Sequence, residues 1–517
     1  MASKKSIEKW EFGDFQTPFL LAQKVVEVLK RNHKISPAHV IEPTCGKGAF
    51  VFAAANGFEG SKIHGYEINP KYVVTANKEI LSKNLESISE VKEADFFDMD
   101  WEDEISDMPG QLLILGNPPW VTSSELGMLN SKNLPKKTNF QARKGIEAIT
   151  GSGNFDISEW MLLKHVSWLS NREGAIAFLC KTSVARKVMR QVRQSQEHRF
   201  FGHIYSINAK TYFDASVEAC LFVLTTESGN ADCEVYESLE SIMPSHVIGE
   251  RDGGIVSNVK MYKKWQHLKG QDPAYVWRSG VKHDCSKVME LEVVGDGYIN
   301  GYGEKVDIEN TYIYPLLKSS DLGNGRVNSY RKVVIVTQKN VGEDTSKIKE
   351  IAPKTWEYLI QNEKYLDYRK SSIYKGKPKF SIFGIGKYSF SEWKIAISGL
   401  YKNLRFNIIP PMNGKPVVFD DTVNLIPMSC KEEADFIYKL LVSSQATEFL
   451  SSLVFWDEKR PITTKILRYL SIKEVAMELG CIEKYHAFVI SSQDANVGQL
   501  SLGVAEPIAS YSSRKCN

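Results

Sequence analysis

The residues of this chain best suited to chemistry are four consecutive ones, Asn117-Pro118-Pro119-Trp120. They follow the apolar run 112–115, which is typical of a buried parallel strand. The Asn117 side-chain oxygen and the Pro118 carbonyl accept hydrogen bonds, whereas a proline has no N–H to donate. Trp120 adds a flat face. The pattern predicts a site for a planar group that bears an NH2, although a strand ending in a proline turn with a core tryptophan would look the same.

A second candidate segment is the glycine-containing loop Glu42-Pro43-Thr44-Cys45-Gly46-Lys47-Gly48, which follows a predicted strand at 39–41. Gly46 and Gly48 allow a ligand to approach the backbone closely, and the helix that follows offers free N–H groups. The loop lacks the third glycine of a dinucleotide fingerprint and the Gly-Lys-Ser/Thr of a P-loop. It therefore predicts a nucleotide-type ligand without favouring phosphate binding.

Two acidic residues follow the next predicted strands. Glu67, about 20 residues beyond the glycines, is suited to accept from the two hydroxyls of a ribose. Asp95 can accept from the amino group of an adenine while the ring of Phe96 covers one face. Taken singly, Glu67 is equally explained as a solvated strand end, and Phe96 as part of the core.

Helical and strand-like segments alternate from about residue 18 to residue 240, which predicts a doubly wound parallel α/β sheet. Ligands of such sheets bind at the carboxyl ends of the strands. The predicted strands lie at 39–41, 63–68, 91–97, 112–115, 175–179 and 219–224, and helices are expected at 19–29 and through Ala55.

Taken together and in this order, the elements resemble the gamma-type S-adenosylmethionine-dependent DNA adenine-N6 methyltransferases of restriction-modification systems. The matching pieces are Phe15-Gln16-Thr17-Pro18, the loop 42–48, Tyr66-Glu67, Ala94-Asp95-Phe96 and Asn117-Pro118-Pro119-Trp120. The resemblance covers residues 1–240 and implies a Rossmann-like doubly wound methyltransferase sheet, with S-adenosyl-L-methionine as cofactor. It implies that the cofactor is bound by Gln16, Thr17, Pro18, Glu42, Thr44, Gly46, Gly48, Glu67, Ile68, Asp95, Phe96 and Asn117.

The same resemblance implies the catalytic roles. Asn117 and the Pro118 carbonyl, shaped by Pro119, would hold the N6 amine of an adenine flipped out of duplex DNA, and Trp120 would stack on the base. Phe213, just before the strand at 219–224, is expected to be the second aromatic of this clamp, although a core role explains it as well. Asparagine at the first position favours adenine N6 over cytosine N4 in the family.

The C-terminal half is expected to find the target. Residues 1–240 carry 27 basic and 31 acidic residues, a net charge of −4, whereas residues 241–517 carry 38 and 31, a net charge of +7. This division favours a polyanion partner. We therefore expect a catalytic domain at 1–245 and a C-terminal mixed α+β target-recognition domain at 246–517. Candidate DNA contacts, each also explained as a solvated surface residue, are Lys136, Lys137, Arg186, Arg190, Arg278, Lys282 and Lys387.

Composition sets further expectations. The 517 residues contain eight scattered cysteines without a CxxC pair, no apolar run long enough to span a membrane, and a polar N-terminus without a secretory signal. These features favour a metal-free cytoplasmic protein. We expect a monomer that acts on double-stranded DNA. We also expect any cognate restriction endonuclease to be a separate protein, because few residues precede Phe15 and no nuclease centre is evident.

Two other functions remain open on the sequence alone. The same Asn-Pro-Pro-aromatic tetrad serves methyltransferases that act on RNA guanine or on a protein glutamine. A non-catalytic nucleic-acid-binding protein with a vestigial cofactor fold is the other alternative, although Asn117, Glu67 and Asp95 are all intact.

Overall fold

The computed structural model describes residues 16–121, 156–194, 200–226 and 232–500 and divides the chain into two compact units, Met1–Lys260 and Met261–Asn517. The division falls after residue 260 rather than after the expected 245. The reason is that the segments His246–Arg251 and Gly254–Val256 are strands that extend the sheet of the first unit.

Unit 1 is built on a ten-stranded sheet with the order β10-β9-β8-β6-β7-β5-β4-β1-β2-β3. Its strands are β1 (His39–Glu42), β2 (Lys62–Glu67), β3 (Ser89–Glu93), β4 (Leu112–Gly116), β5 (Gly174–Lys181), β6 (Phe201–Ile207), β7 (Ala219–Thr225), β8 (Cys233–Tyr236), β9 (His246–Arg251) and β10 (Gly254–Val256). The predicted α/β class is confirmed, and every predicted strand is present, although β3 ends at Glu93 rather than at Phe97.

The sheet is not parallel throughout. Strands β3, β2, β1, β4 and β5 are parallel to one another, but β7 runs antiparallel to both β5 and β6. The connection from β6 to β7 covers only residues 208–218, and a parallel crossover needs a dozen or more. The predicted parallel arrangement is therefore present from β3 to β5, whereas β7 departs from it.

Helices cover the faces of this sheet. They are α1 (Phe19–His33), α2 (Ala49–Gly57), α3 (Pro70–Ser82), α4 (Trp101–Ser106), α5 (Ile157–Trp168), α6 (Thr182–Gln194) and α7 (Ala209–Phe213). The ends of these helices follow local chemistry: α3 begins with Pro70 at its first position and with the Asn69 side chain accepting from the Lys71 N–H. The apolar faces of α1 and α2 pack with β1, β2 and β4 in one core.

Unit 2 is a mixed α+β body with a four-stranded sheet, β11-β20-β17-β18, and a six-stranded sheet, β14-β13-β12-β16-β15-β19. The strands are β11 (Arg278–Ser279), β12 (Glu290–Val294), β13 (Gly297–Ile299), β14 (Lys305–Val306), β15 (Ile313–Leu317), β16 (Lys332–Ile335), β17 (Trp393–Ser398), β18 (Phe406–Ile409), β19 (Val418–Phe419) and β20 (Val423–Met428).

The remaining helices are mostly short. They are α8 (Val259–Trp265), which contains the division between the units, α9 (Ser286–Met289), α10 (Ser319–Gly323), α11 (Ile348–Ile351), α12 (Pro353–Gln361), α13 (Glu363–Asp367), α14 (Lys431–Leu441), α15 (Ser444–Ser451), α16 (Thr464–Leu467), α17 (Ile472–Glu478) and α18 (Ile482–Leu500). Within the described ranges, no helix has the length and apolar character needed to cross a bilayer.

Candidate active site

The site lies where four neighbouring parallel strands of unit 1 end. Strands β3, β2, β1 and β4 are adjacent in the sheet and run in the same direction, so their carboxyl ends lie side by side. The four sequence segments singled out above follow these ends directly. The topology therefore gathers the glycine loop, Glu67, Asp95 and Asn117 at one edge.

The glycine loop has a backbone shape that needs its glycines. Gly46 and Gly48 have φ of +54° and +86°, in the left-handed region that other residues rarely adopt. A Cβ on Gly46 would lie 2.9 Å from Oε1 of Gln16, and the same oxygen accepts from the Lys47 N–H at 3.2 Å. Gln16 thus packs on the loop, which restricts the space above it.

Glu67 fastens this loop to the end of β2. Its carboxylate accepts from the Gly46 N–H and from the Asn69 N–H, each at 2.8 Å. An ionised carboxylate is an acceptor-only group, the type that the hydroxyls of a ribose require. Ile68 beside it is 37% exposed and offers an apolar surface at the same edge.

Two polar groups are buried beneath the loop. The Glu42 carboxyl accepts from the Val51 N–H at 3.0 Å, and Thr44 Oγ1 has no hydrogen-bond partner among the described residues. Burial raises the pKa of Glu42 well above its ordinary value, and the nearby charge of Glu67 adds to the shift. A buried carboxyl with a high pKa and an unsatisfied hydroxyl fit a ligand that brings positive charge and hydrogen-bonding groups, as the methionine end of S-adenosylmethionine does.

Cys45, in the middle of the same loop, is buried. Burial raises the pKa of its thiol well above the ordinary value, so the thiol stays protonated at neutral pH. This supports a packing role and argues against a nucleophile. Among the described residues, no group of three or more His, Cys, Asp or Glu side chains is arranged to hold a metal ion.

The Asp95 segment differs from the expectation at one side chain. Asp95 is half-buried and accepts from the Phe97 N–H at 2.9 Å, which forms a turn after β3. The Phe96 ring does not lie open to a ligand, because it is 6% exposed and packs against Trp101, His165 and Trp168.

Helices α4 and α5 supply this aromatic cluster, and burying the Phe96 ring within it removes the ring from water. The expectation that the Phe96 ring covers an adenine face is therefore corrected. Phe97, the next residue, is half-buried, and its ring packs against Phe96 and Trp160.

The tetrad contacts the N-terminal element directly. The Nδ2 of Asn117 donates to Thr17 Oγ1 at 3.2 Å, which joins two segments 100 residues apart. Pro18, next to Thr17, precedes the first residue of α1, and its carbonyl accepts from the Leu21 N–H at 2.9 Å. Asn117 is therefore oriented by a residue whose own position is set by the start of a helix.

Trp120 and Phe213 come together, but not as two open faces. Their ring centroids are 5.1 Å apart at an interplanar angle of 69°, and both rings are buried. The Trp120 Nε1–H donates to the Leu179 carbonyl on β5 at 3.1 Å. A base between the two rings needs about 7 Å between the ring centres, twice a carbon contact distance of about 3.5 Å, and the observed 5.1 Å does not leave this space. A base between the two rings would require them to separate.

The basic residues expected to contact DNA in unit 1 differ in their surroundings. Arg186 is only 7% exposed on α6 and lines a cavity together with residues of β6, β8, β9 and β10, so its position does not suit an open phosphate contact. Arg190 is exposed. Lys136 and Lys137 lie outside the described residues.

In unit 2 the structure groups three predicted residues that are far apart in sequence. Lys282 and Phe383 form an antiparallel bridge, and the Arg278 guanidinium lies 5.5 Å from the ring centroid of Tyr388. Lys387 is next to Tyr388, and both Arg278 and Lys387 are exposed. The segments 278–282 and 383–388 therefore form one basic surface, although Lys282 is half-buried.

Comparisons with known proteins agree with this geometry. No family model matches the chain. The type II methyltransferase M.NspV of Nostoc sp. is 44% identical over 471 residues, which are 90% of this chain and 98% of that protein. The type II methyltransferase M.CvrRI of Paramecium bursaria Chlorella virus XZ-6E is 33% identical over 120 residues, 23% of this chain and 27% of that protein.

Among solved structures, the type IIL restriction-modification enzyme MmeI, solved in complex with DNA, matches with a TM-score of 0.51 at 14% identity. The match covers 91% of this chain and 67% of MmeI, and it supports the fold. The likeness to M.NspV also shows the class of enzyme, an S-adenosylmethionine-dependent methyltransferase. The near full-length likeness to M.NspV shows that the chain belongs to the type II methyltransferases, the modification enzymes of restriction-modification systems.

Proposed function

We propose that this protein transfers a methyl group from S-adenosylmethionine to the exocyclic N6 amine of an adenine flipped out of double-stranded DNA. The observation that carries the proposal is the convergence of Glu42, Glu67, Asp95 and Asn117 at the ends of four adjacent parallel strands, with Asn117 held by Thr17. Membership of the type II methyltransferases supports DNA as the substrate over RNA or protein.

Cofactor binding is assigned to the residues around the glycine loop. Thr17, Glu42, Thr44 and the backbone at Gly46 and Gly48 hold the methionine end, where the buried carboxyl of Glu42 favours positive charge. Glu67, at the end of β2, accepts from a ribose hydroxyl.

The adenine end is assigned to the neighbouring strand ends. Asp95 accepts from the adenine amino group, and Ile68 packs on a face of the ring. Gln16 and Pro18 act by shaping the loop and the start of α1 around this ligand. When bound, the cofactor supplies an electrophilic methyl group on a sulfonium.

The chain's own contribution to the chemistry is positioning. An amine conjugated to a purine is a poor nucleophile because its lone pair is delocalised into the ring. Asn117 Oδ1 and the Pro118 carbonyl accept the two amine hydrogens, which favours a pyramidal nitrogen with its lone pair aimed at the methyl carbon. No strong general base is needed, because the amine becomes acidic once it is alkylated.

The target base enters beside Trp120 and Phe213. Because these rings touch each other in the present structure, base entry requires either separation of the rings or stacking on one outer edge. Stacking on an aromatic ring offsets part of the few kcal/mol that flipping costs. The preference for adenine N6 over cytosine N4 rests on the asparagine at position 117, by the family pattern.

In the cell we assign the protein to a restriction-modification system in which a separate endonuclease cleaves unmodified DNA, with this chain acting as a monomer. Single-molecule sequencing of DNA from cells that express the protein tests the chemistry directly. The expected result is N6-methyladenine at one recognition sequence, and none with Asn117→Ala. Methylation confined to cytosine N4 would correct the base, whereas unmodified DNA together with methylated RNA would overturn DNA as the substrate.

A further inference from the structure

The most exposed large aromatic or apolar side chain in the described part of the chain is Tyr368, which is 85% exposed. It follows α13 directly, and its N–H donates to the Lys364 carbonyl at 3.2 Å, which continues the last turn of that helix. An aromatic ring left this open contributes little to folding, because its apolar area stays in water.

The backbone on both sides of Tyr368 is firmly held. Leu366 is buried in the core of unit 2. The Arg369 guanidinium donates to the carbonyls of Leu366 at 2.6 Å, Ser381 at 2.7 Å and His283 at 3.3 Å. Its Cζ lies 3.7 Å from the ring centroid of Tyr374. The side chain of Arg369 thus connects three backbone segments, and it holds the backbone next to the exposed Tyr368 ring in place.

The sequence on both sides of Tyr368 is strongly basic. Residues 363–379, here called the Tyr368 segment, carry six basic and two acidic residues, a net charge of +4, which exceeds the +3 of the entire chain. One acid, Glu363, is already paired with Lys379. Lys370, Lys375 and Lys377 are exposed, and none of the three has an acidic partner within ion-pair distance among the described residues.

Resting on the function proposed above, we propose that the Tyr368 segment is a DNA-binding surface, in which the lysines contact phosphates and the Tyr368 ring inserts at a base step of the duplex and stacks on the base face that this exposes. Stacking tolerates any base because every base has a π face, whereas lysine contacts to phosphates give salt-dependent affinity without sequence information. The fixed backbone lowers the ordering cost of the contact, since less conformational freedom is lost on binding.

Fluorescence anisotropy with a labelled duplex that contains the recognition sequence tests this assignment. Tyr368→Ala is expected to weaken binding about tenfold, in line with the loss of one stacked base, while Tyr368→Phe, which keeps the ring, stays within about twofold of the parent. Both substitutions are at a surface position, so folding is unaffected.

The lysines have a separate signature. The triple variant Lys370→Ala, Lys375→Ala, Lys377→Ala is expected to flatten the dependence of log K on log salt by about 2 to 3, because each lost phosphate contact removes about 0.9 from the slope. Lys439→Ala, an exposed lysine on α14 outside the segment, is the matched control and leaves the slope unchanged.

The outcomes separate this inference from the function it rests on. If the parent protein methylates the duplex but Tyr368→Ala and the triple variant bind it normally, the Tyr368 segment is not a DNA surface and the proposed function stands. If the parent transfers no methyl group to DNA, the proposed function itself falls. A tenfold loss for Tyr368→Ala on an RNA duplex, without loss on DNA, would assign the surface to RNA and overturn the inference.

Discussion

Three residues of unit 1 and two of unit 2 that look functional in the sequence differ in exposure. In unit 1, Trp120, Phe96 and Arg186 are 6%, 6% and 7% exposed, so these three side chains are packed inside. In unit 2, Tyr368 is 85% exposed and Arg278 lies at the surface. Residue type alone therefore does not separate a candidate binding residue from a packing residue. The exposed fraction of the side chain does.

Buried and exposed side chains serve different purposes, and this explains the difference in exposure. Unit 1 positions small groups at the ends of strands, and buried rings beneath them limit the movement of those ends. The aromatic cluster around Phe96 and the contact between Trp120 and Phe213 are of this kind. A surface that grips a long polyanion needs open charges instead, since paired charges do not displace counterions from DNA.

The largest expected effect is a difference in the free energy of unfolding between a buried and an exposed aromatic variant. Trp120→Ala removes a buried indole and its bond to Leu179, and we expect a loss of about 3–5 kcal/mol in the free energy of unfolding of unit 1. Tyr368→Ala should change stability by no more than about 0.5 kcal/mol. Differential scanning calorimetry of both variants measures this, and similar losses in the two would erase the distinction.

The next effect concerns catalysis. Asn117→Ala should lower the single-turnover rate of methyl transfer by about 10²–10³-fold, the usual cost of one oriented hydrogen bond at a reacting group. Cofactor affinity, measured by calorimetry, should change little, because Glu42 and Glu67 remain. Thr17→Ser keeps the hydroxyl that accepts from Asn117 and serves as the control. Near-normal turnover by Asn117→Ala would refute the amine-holding role.

A smaller effect follows from the buried carboxyl of Glu42. Its pKa in the folded state is raised, so the folded protein loses stability as the pH rises from the ordinary carboxyl pKa to the raised value, and the full penalty applies above that. Glu42→Gln should be more stable than the parent at neutral pH, because the amide has no charged form to desolvate. This gain should vanish as the pH falls toward 4.5, the ordinary value.

The same substitution should weaken cofactor binding about tenfold, because a neutral amide offers less to a cationic ligand than a carboxylate. Thermal unfolding across pH, with cofactor titrations at neutral pH, measures both effects. A variant that is less stable than the parent at neutral pH, with unchanged cofactor affinity, would show that Glu42 serves the fold instead of the ligand.

The smallest expected effect compares two arginines. Arg278→Ala should weaken DNA binding modestly and reduce the slope of log K against log salt by about 0.9, as for one lost phosphate contact. Arg186→Ala should leave the slope unchanged and lower stability, because it truncates a buried side chain. Equal slopes in the two variants would remove Arg278 from the DNA surface.

Much of unit 1 was predictable because its signals are local. The apolar runs predicted β1, β2, β4, β5 and β7, and the predicted helix at 19–29 is part of α1. Strand β6, the strands β8 to β10 and the reversed direction of β7 were not predicted. Direction and pairing depend on the length of connections and on neighbours far along the chain, which an isolated apolar run does not encode.

The candidate site was also predictable only where its signals are local. The spacing of the glycine loop, Glu67, Asp95 and Asn117 identified the segments, because each follows a strand end and parallel strands align their ends. Whether the aromatic rings are open to a ligand or buried was not predictable. Phe96 follows Asp95 in the sequence, as a ligand contact would. In the structure, Trp101 on α4 and Trp168 on α5 pack against its ring and bury it.

By itself, the sequence determined the class of the protein and the order of its chemical groups, since strand ends, glycines and the Asn-Pro-Pro-Trp tetrad are written in consecutive residues. Only the tertiary structure decided which of these groups are open to a ligand and which are packed. It bonded Asn117 to Thr17, joined the segments at 278–282 and 383–388, and left Tyr368 exposed next to the backbone that Arg369 holds in place. The reason is that burial and hydrogen bonding depend on distances between residues far apart in the chain, and those distances exist only once the chain has folded.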